Sequence, residues 1–308
     1  MLVNGVARET MLPLGYKVKI IQGVWVFRIV AFIGLVFSIV ACSDSSPPVG
    51  GKLKAGILPD QTAERLHEEF QPLINYLMEE TGEPIELVVP QDYQELLTLF
   101  ANGDIDMAFF GGLTFLQAQS QSGAVPLVAR DIDTRFTSLF IARQDSVGDK
   151  VTNFGGKRFG FGSNLSTSGH LMPRYFLKTL GLHPEYFFGS VEYTGAHDKT
   201  GFAVLDGTLD IGVANTQVIR GLLKSGQLGD GDIKILWETP PYTDYVWAVQ
   251  STINPTTKEK LLDAFLALSK IDEQQRHILE KQGAKSFLPV QEEDFTKLRE
   301  LAVELGLL

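Results

Sequence analysis

Three hydroxyl side chains stand in a row within GSNLSTSGHLMP (162–173), where they could bind an anion. The preceding residues predict a strand and the following residues predict a helix. Pro173 is tolerated in the first turn of a helix but not in its interior. The helix start therefore falls within Ser166, Thr167 and Ser168. Free backbone N–H groups and the helix dipole favour negative charge there, so the segment predicts a site for a tetrahedral oxyanion.

Gly169 follows the three hydroxyls and would let a ligand approach the backbone closely. A plainer interpretation has one serine capping the helix and the other hydroxyls in solvent. The residue types alone leave both interpretations open. A Walker-type phosphate loop is excluded, because no lysine follows the glycine as it does in GxxxxGK[ST].

Other reactive patterns are missing from the sequence. No GxSxG nucleophile elbow occurs, and there is one cysteine. The histidines show no HxxxH or HxH spacing; they are His67, His170, His183, His197 and His277. We therefore expect no catalytic residue, no metal site and no cofactor.

The chain carries 27 basic and 37 acidic side chains in 308 residues, a formal net charge of −10. No run of basic residues interrupts that balance, so a nucleic-acid partner is not expected. The hydrophobic content of 44% is typical of a globular protein. An anionic ligand would have to be held by local dipoles and hydrogen-bond donors rather than by the overall charge.

The N-terminal residues have the pattern of a secretory signal. Arg28 is followed by thirteen residues without a charge and then by Cys42, the only cysteine. That stretch is too short for a membrane-spanning helix, which needs roughly twenty apolar residues. IVAC (39–42) resembles the bacterial lipobox, which implies removal of residues 1–41 and a lipid anchor on Cys42. The alternative is an uncleaved anchor that extends back through residues 20–27.

After a flexible tether (42–51), strand and helix patterns alternate, which predicts an α/β protein with mostly parallel sheet. The predicted strands are 52–58, 84–90, 105–111, 125–130, 137–143, 157–162, 190–195, 210–215, 233–239 and 245–251. Predicted helices include 59–82, 92–103, 112–123, 171–181, 256–271 and 294–306. The strand and helix patterns of residues 52–136 predict the first part of one lobe, and those of residues 137–245 predict a second lobe. Residues 246–308 are expected to return and complete the first lobe. We expect a cleft between two lobes, where strand ends and helix starts converge.

Several separated segments, in order along the chain, resemble one known family. They are FQPLINYL (70–77), Leu99 to Gly111, SLFIARQDS (138–146), STSGHLMP (166–173), GAHD (195–198) and LDGTLDIGVANT (205–216). The family is the substrate-binding proteins of phosphate, phosphite and phosphonate ABC importers, which have the type II periplasmic-binding-protein fold. The resemblance covers about residues 52–270. It implies a bilobed receptor that closes on a phosphorus oxyanion and delivers it to an ABC permease in the inner membrane.

The resemblance also implies ligand contacts. In the family the Ser-Thr-Ser helix start binds the oxyanion, which agrees with the interpretation of this segment from helix physics. Tyr93 and His197 match a tyrosine and a histidine that contact the oxyanion. Their alternative roles are those of a packed aromatic residue and a structural histidine. The turn FFGG (109–112) and Thr114 are expected to line the cleft.

Two departures from the family bear on the ligand. Phe136 stands where the family often has a tyrosine, so one hydroxyl donor is lost. Gln217 stands where relatives that bind aminoalkylphosphonates have a glutamate, and Asp244 matches their second carboxylate. A desolvated ammonium group needs its carboxylate partners. We therefore expect Gln217 and Asp244 to face a ligand without an amine, such as phosphite, phosphate or a simple alkylphosphonate.

The expected protein is an exported, membrane-tethered monomer in the periplasm or at the cell surface. A sensory receptor that feeds a membrane histidine kinase is the alternative function. An enzyme on the same fold is disfavoured, because no nucleophile and base occur at usable spacing.

Overall fold

The computed structural model describes residues 51–229 and 231–308. The predicted signal peptide (1–41), Cys42 and all but the last residue of the tether (42–51) therefore lie outside the described residues. Within the described ranges, no helix is both long enough and apolar enough to span a membrane.

Eleven strands occur in the described residues. In chain order they are β1 Leu53–Ile57, β2 Ile85–Val88, β3 Met107–Phe110, β4 Val125–Arg130, β5 Ser138–Arg143, β6 Arg158–Phe161, β7 Ser190–Tyr193, β8 Ile211–Asn215, β9 Ile233–Glu238, β10 Val246–Val249 and β11 Phe287–Pro289. The first ten coincide with the predicted strands, and β11 is an addition.

The α-helices alternate with these strands. They are α1 Ala63–Thr81, α2 Tyr93–Ala101, α3 Gly112–Ser122, α4 Met172–Thr179, α5 Pro184–Phe187, α6 His197–Leu205, α7 Thr216–Lys224, α8 Pro255–Ala267, α9 Glu273–Lys281 and α10 Thr296–Glu304. A π-helical turn, Thr167–Leu171, precedes α4. Side-chain caps set several starts: Thr62 accepts a hydrogen bond from the Arg65 amide at α1, and Asp92 accepts one from the Glu95 amide at α2.

The strands form two sheets, the first in the order β11-β4-β10-β3-β1-β2 and the second in the order β7-β6-β8-β5-β9. β1 pairs in parallel with β2 and β3, and β6 pairs in parallel with β7 and β8. The remaining pairs between the described strands are antiparallel. The prediction of mostly parallel sheet is therefore wrong. The reason is that β5 and β10, which carry the chain from one sheet to the other, run against both of their neighbours.

The second sheet shows how side-chain alternation builds the core. Leu139 and Ile141 on β5 pack in one apolar cluster, whereas Phe140 and Ala142 pack in another. Successive side chains of a strand point to opposite faces, so a continuous apolar run indicates a strand buried on both sides. Around the first sheet a larger cluster includes Trp247, which is fully buried. Strands β5 to β9 thus form the second sheet, and all the other described strands form the first sheet. The lobe limits at residues 136 and 245 stay a prediction.

Each sheet contains three parallel strands, and the polar residues described below follow the carboxyl ends of these strands. In the first sheet β1, β2 and β3 lead into α1, α2 and α3, and in the second sheet β6, β7 and β8 lead towards α4, α6 and α7. The two sets of ends contact each other, because the His197 amide donates a hydrogen bond of 3.0 Å to the Asp60 carbonyl. The N-termini of α3, α6 and the π-helical turn therefore lie close together, since Leu113 contacts Thr167 and Ser166 contacts His197, and this favours negative charge there.

Candidate functional site

Ser166 begins the segment that the sequence singles out. It is the N-cap of the π-helical turn, and its Oγ accepts a hydrogen bond from the Gly169 amide at 2.9 Å. The turn is wide: the Leu171 amide donates to the Ser166 carbonyl at 3.0 Å. π-helical turns often occur at functional sites. The predicted helix start is thus confirmed at Ser166, and one hydroxyl does act as a cap.

Thr167 joins this turn to the first sheet. Its Oγ1 accepts a hydrogen bond from the Leu113 amide at 2.8 Å, and Asp244 Oδ1 accepts one from the Gly112 amide at 3.0 Å. Gly112 and Leu113 are the first two residues of α3, whose amides have no partner inside the helix. Thr114, also buried, donates its hydroxyl to the Gly111 carbonyl at 2.9 Å. Side chains from distant parts of the chain therefore cap α3.

Three buried polar atoms at this place have no hydrogen-bond partner within the described residues. They are Tyr93 Oη, Ser168 Oγ and Asp244 Oδ2, and each of these residues is at most 1% exposed. The Ser166 hydroxyl lies close enough to Tyr93, and the Ser168 hydroxyl close enough to Asp244 and Tyr242, to lower the pKa of these groups, although none of these contacts has the geometry of a good hydrogen bond. Buried polar atoms are nearly always paired, so an unpaired group of three is a feature to explain. We call Tyr93, Ser166, Thr167, Ser168, His197 and Asp244 the polar cluster.

His197 is fully buried at the start of α6. Its Nδ1 accepts a hydrogen bond from the Asn215 amide at 3.2 Å, so Nε2 carries the ring proton. Nε2 lies 3.5 Å from Ser166 Oγ. Burial lowers the pKa of His197 to about 3, which keeps the ring neutral. His197 therefore offers one N–H donor to the polar cluster.

Gly169 is required by close packing. A Cβ at this position would lie 2.9 Å from His197 Cε1 and 3.0 Å from Ser166 Oγ. Real side chains essentially never approach that closely, so any larger residue would push the histidine or the serine aside. The predicted role of Gly169, close approach of a ligand, stays a prediction.

Two buried carboxyls belong to the site. Burial raises the pKa of Asp244 to about 7, although the Gly112 amide opposes the shift. Burial also raises the pKa of Asp60 to about 7, against the hydrogen bond from the Tyr245 hydroxyl, which lies 2.7 Å from Asp60 Oδ2. The Tyr245 hydroxyl in turn accepts from Asn215 Nδ2 at 2.8 Å. Sequence reasoning did not predict that Asp60, Asn215 and Tyr245 belong to the site. Asp60 follows a predicted strand and Asn215 is the last residue of another, and polar residues at strand ends could have been taken as candidates.

Phe136 does lack a hydroxyl, but a neighbouring tyrosine contributes one. The backbones of Phe136 and Tyr242 exchange hydrogen bonds of 2.8 and 3.0 Å. Ser138 donates its hydroxyl to the Ser168 carbonyl at 2.7 Å, so the Tyr242 hydroxyl is the donor to Ser138 Oγ at 2.5 Å. This chain of hydrogen bonds holds the Ser168 backbone in place, and sequence reasoning missed it.

Gln217 is not brought into the polar cluster. It is exposed at the start of α7 and lines a cavity of about 630 Å³. Helices α1, α7 and α9 contribute to that cavity, and Asp60, Asn215 and Tyr245 line it as well. Its walls therefore adjoin the polar cluster without including Tyr93, Ser168 or Asp244. Contact between Gln217 and a ligand remains a prediction.

Comparisons with known proteins show which proteins this chain is similar to. A family model described as "ABC transporter, phosphonate, periplasmic substrate-binding protein" matches residues 55–295. The probable ABC transporter phosphite binding protein PhnD1 of Prochlorococcus marinus (strain MIT 9301) is 31% identical over 275 residues, covering 85% of this chain and 91% of the relative. The phosphate-import protein PhnD of Mycolicibacterium smegmatis is 26% identical over 245 residues, covering 73% of this chain and 76% of the relative.

A solved structure is similar over most of the chain. The structure of PhnD1 from Prochlorococcus marinus in complex with methylphosphonate has a TM-score of 0.79 and 28% sequence identity, and the match covers 83% of this chain and 98% of that chain.

Proposed function

Because this chain belongs to the periplasmic substrate-binding proteins of phosphonate ABC transporters, we propose that its polar cluster captures phosphite or a small phosphonate for delivery to an ABC permease. Membership confirms the resemblance noted in the sequence and the bilobed α/β fold. The observation that carries the choice of site is the group of unpaired buried atoms: Tyr93 Oη, Ser168 Oγ and Asp244 Oδ2.

These three atoms suit a singly protonated oxyanion. The hydroxyls of Tyr93 and Ser168 can each donate a hydrogen bond to a ligand oxygen. Burial raises the pKa of Tyr93 well above 10, so its phenol stays a donor. Asp244 Oδ2 can accept the proton of a P–OH group, or donate its own proton when the carboxyl is neutral. Hydrogen bonds to charged groups are the strong ones, worth roughly 1.5–3 kcal/mol each.

Neutral donors supply the rest of the binding. The Ser166 hydroxyl lies beside Tyr93, and His197 Nε2 lies 3.5 Å from that hydroxyl. The N-terminal turns of α2, α6 and the π-helical turn contribute their dipoles. No full positive charge belongs to the polar cluster. The neutral donors and the helix dipoles would therefore have to bind the anion, in a chain whose net charge is −10.

Binding would occur by closure of the two lobes. Tyr93 follows β2 of the first sheet, whereas Ser168 and His197 follow β6 and β7 of the second. A ligand held by all three ties the sheets together, in addition to the hydrogen bond between Leu113 and Thr167. Such hinge closure around a ligand is a common device of binding proteins.

The ligand is proposed to lack an amine. Asp244 already accepts from the Gly112 amide and Asp60 from the Tyr245 hydroxyl, while Gln217 is an exposed amide. Asp244 Oδ2 is thus the one oxygen of these two carboxyls in the polar cluster without a partner in the described residues, and a buried ammonium would lack the second carboxylate that Gln217 replaces. A phosphite-binding relative and a structure with methylphosphonate support the same choice. Phosphate is the second candidate, supported by the phosphate-import relative.

The sequence pattern supports a lipid anchor. We propose that residues 1–41 are removed, that Cys42 is acylated and that residues 42–51 tether the binding domain as a monomer at the membrane. No observation favours the alternative of a receptor for a histidine kinase.

Calorimetric titration tests the proposal. The purified protein is titrated with phosphite, methylphosphonate, phosphate and 2-aminoethylphosphonate. We expect tight binding of phosphite or methylphosphonate and weak binding of the aminated ligand. A preference for the aminated ligand would contradict the argument from Gln217 and leave the oxyanion site standing. Absence of heat with all four ligands would overturn the proposed function.

A further inference from the structure

His170 closes the loop that carries the three hydroxyls. It lies in the π-helical turn and is only 3% exposed. Its Nδ1 lies 2.7 Å from the carbonyl oxygen of Asn164, six residues back in the chain. The Ser-Thr-Ser segment (166–168) lies between these two residues. The ring of His170 therefore holds together the two ends of the loop that the oxyanion is proposed to contact.

The neighbours of the ring decide which nitrogen carries its proton. Nε2 lies 2.8 Å from Nε of Arg174, and a guanidinium nitrogen can only donate. Nε2 is therefore an acceptor, and the proton is on Nδ1, which donates to the Asn164 carbonyl. Burial lowers the pKa of His170 to about 4, so the ring is neutral at neutral pH. Both nitrogens are thus engaged, and His170 has no N–H to offer a ligand.

Aromatic rings fix the plane of the His170 ring. Phe161 meets it edge-on with 4.9 Å between ring centroids, and Tyr193 meets it edge-on at 5.1 Å. The Arg174 guanidinium lies over the Phe161 ring at 5.0 Å and donates to Glu185 Oε1 at 2.7 Å. Side chains packed on several sides do not turn without cost. The direction of the hydrogen bond from Nδ1 is therefore fixed as well.

Tyr193 connects His170 to the segment that carries His197. The Tyr193 hydroxyl lies 3.1 Å from His170 Nε2 and accepts from Arg174 Nη2 at 3.1 Å. Because Nε2 carries no proton, the hydroxyl is the donor in the first of these contacts. Tyr193 is the last residue of β7, four residues before His197. His170 thus contacts both chain segments of the second sheet that contribute donors to the polar cluster.

We propose that His170 is a positioning residue of the oxyanion site: its ring holds the Ser-Thr-Ser segment (166–168) in place relative to His197. The inference rests on the proposed function and goes beyond it, since it names a residue that acts on the ligand only through others. Without the two ring nitrogens the same hydroxyls would remain, but they would no longer be held at one place. Donors that are ordered before the ligand arrives bind it more tightly than donors that must be ordered on binding.

The test compares His170→Phe with His170→Asn by calorimetry with methylphosphonate. Phenylalanine keeps a ring but loses both nitrogens, so the affinity should fall about tenfold or more. Asparagine can place an amide N–H near the position of Nδ1 and restore the bond to the Asn164 carbonyl. It should therefore bind at least about threefold more tightly than the phenylalanine variant. His183→Phe is the matched control: His183 is exposed at the start of α5, and its replacement should leave the affinity unchanged.

Hydrogen–deuterium exchange separates positioning from a general effect on stability. The Gly169 amide donates to Ser166 Oγ at 2.9 Å, and the Leu171 amide donates to the Ser166 carbonyl at 3.0 Å. In unliganded His170→Phe these two amides should exchange about tenfold faster than in the wild type, and in His170→Asn they should exchange at nearly the wild-type rate. The amides of α1, in the other part of the fold, should be unaffected in both variants.

Several results would overturn the positioning role. Wild-type affinity in His170→Phe would do so, as would equal losses of affinity in the two variants. Faster exchange that also reaches α1 would show a merely structural residue. If a variant does not fold, as its melting temperature would show, His170→Met replaces the phenylalanine variant and His170→Gln the asparagine variant, with the same expected order of affinities. A wild type that binds neither phosphite nor methylphosphonate would instead refute the proposed function itself.

Discussion

The backbone amide of Leu113 donates a hydrogen bond of 2.8 Å to the side-chain hydroxyl of Thr167, 54 residues further along the chain. Leu113 lies in the first turn of α3, which follows β3 of the first sheet, and Thr167 lies in the π-helical turn, which follows β6 of the second sheet. This contact and its neighbour between Gly112 and Asp244 hold the proposed ligand-binding groups from both sheets in one place.

Replacing Ser168 by alanine should weaken ligand binding without weakening the fold. The Ser168 hydroxyl is buried close to Asp244 and Tyr242 but makes no hydrogen bond of good geometry in the described residues, so its loss should cost the fold little. A lost hydrogen bond to an anion should lower the affinity for methylphosphonate by about 10- to 100-fold. The free energy of unfolding of the unliganded protein should change by less than about 0.5 kcal/mol. Calorimetry and urea unfolding measure the two quantities.

Ser190→Ala is the matched control for Ser168→Ala. Ser190 Oγ is also buried without a partner, but it lies at the start of β7, away from the polar cluster. The control should bind the ligand as the wild type does. Equal losses of affinity in both variants would contradict the assignment of Ser168.

Tyr93→Phe and Tyr76→Phe should have opposite effects. Tyr93 Oη has no partner within the described residues, whereas the Tyr76 hydroxyl donates to the Ala264 carbonyl at 2.9 Å. Loss of the first hydroxyl should reduce affinity about tenfold or more and leave stability nearly unchanged. Loss of the second should destabilise the protein by about 1 kcal/mol and leave affinity unchanged. If Tyr93→Phe binds with wild-type affinity, Tyr93 is only a packed aromatic residue.

Asp60 and Asp244 should each make the unliganded protein less stable as the pH rises from about 4 to about 7. The buried His197 and His170 contribute in the opposite direction up to about pH 6.5, because burial lowers their pKa values to about 3 and about 4. Burial raises the pKa of both Asp60 and Asp244 from 3.8 to about 7. In this interval the unfolded chain has released these protons and the folded chain still holds them, so rising pH favours unfolding. Urea unfolding at several pH values should show that, relative to the wild type, Asp60→Asn and Asp244→Asn gain stability as the pH rises through this interval.

Asp210→Asn provides the control of opposite sign. Its hydrogen bonds with Arg158 lower the pKa of Asp210, so this carboxylate stabilises the fold above its unfolded pKa and loses that effect as the pH falls. The variant should keep the wild-type pH dependence between about pH 4 and about pH 7. A pH dependence of Asp60→Asn and Asp244→Asn equal to that of the wild type would refute the raised pKa values of the two buried carboxyls.

Cys42 should be the site of a lipid. Because it is the only cysteine in the chain, metabolic labelling with an alkyne fatty acid can be assigned to it directly. Wild-type protein in the bacterial host should be labelled and recovered with membranes, and Cys42→Ala should be neither labelled nor cleaved at that position. Labelled Cys42→Ala would place the lipid elsewhere and contradict the lipobox interpretation.

Sequence reasoning succeeded where the signal was local. The start of the π-helical turn at Ser166 follows from a capping residue and a proline a few positions later, and ten strands follow from apolar runs. It failed where distant segments decide the outcome. The bond between Tyr245 and Asp60 joins residues 185 positions apart, and no local pattern marks it. The direction of β10 is likewise set by the return of the chain from the second sheet, and the polar helix α9 lacks a strong apolar stripe.

Because Thr167 and Asp244 cap α3, separation of the two sheets could be measured at the amide protons that they accept from. Both amide protons, on Gly112 and Leu113, are shielded by side chains that belong to other segments. Parting of the sheets would expose these protons to solvent while the rest of α3 stayed folded. Their hydrogen–deuterium exchange rates would then report how often the empty receptor opens, and a bound oxyanion should slow both rates together.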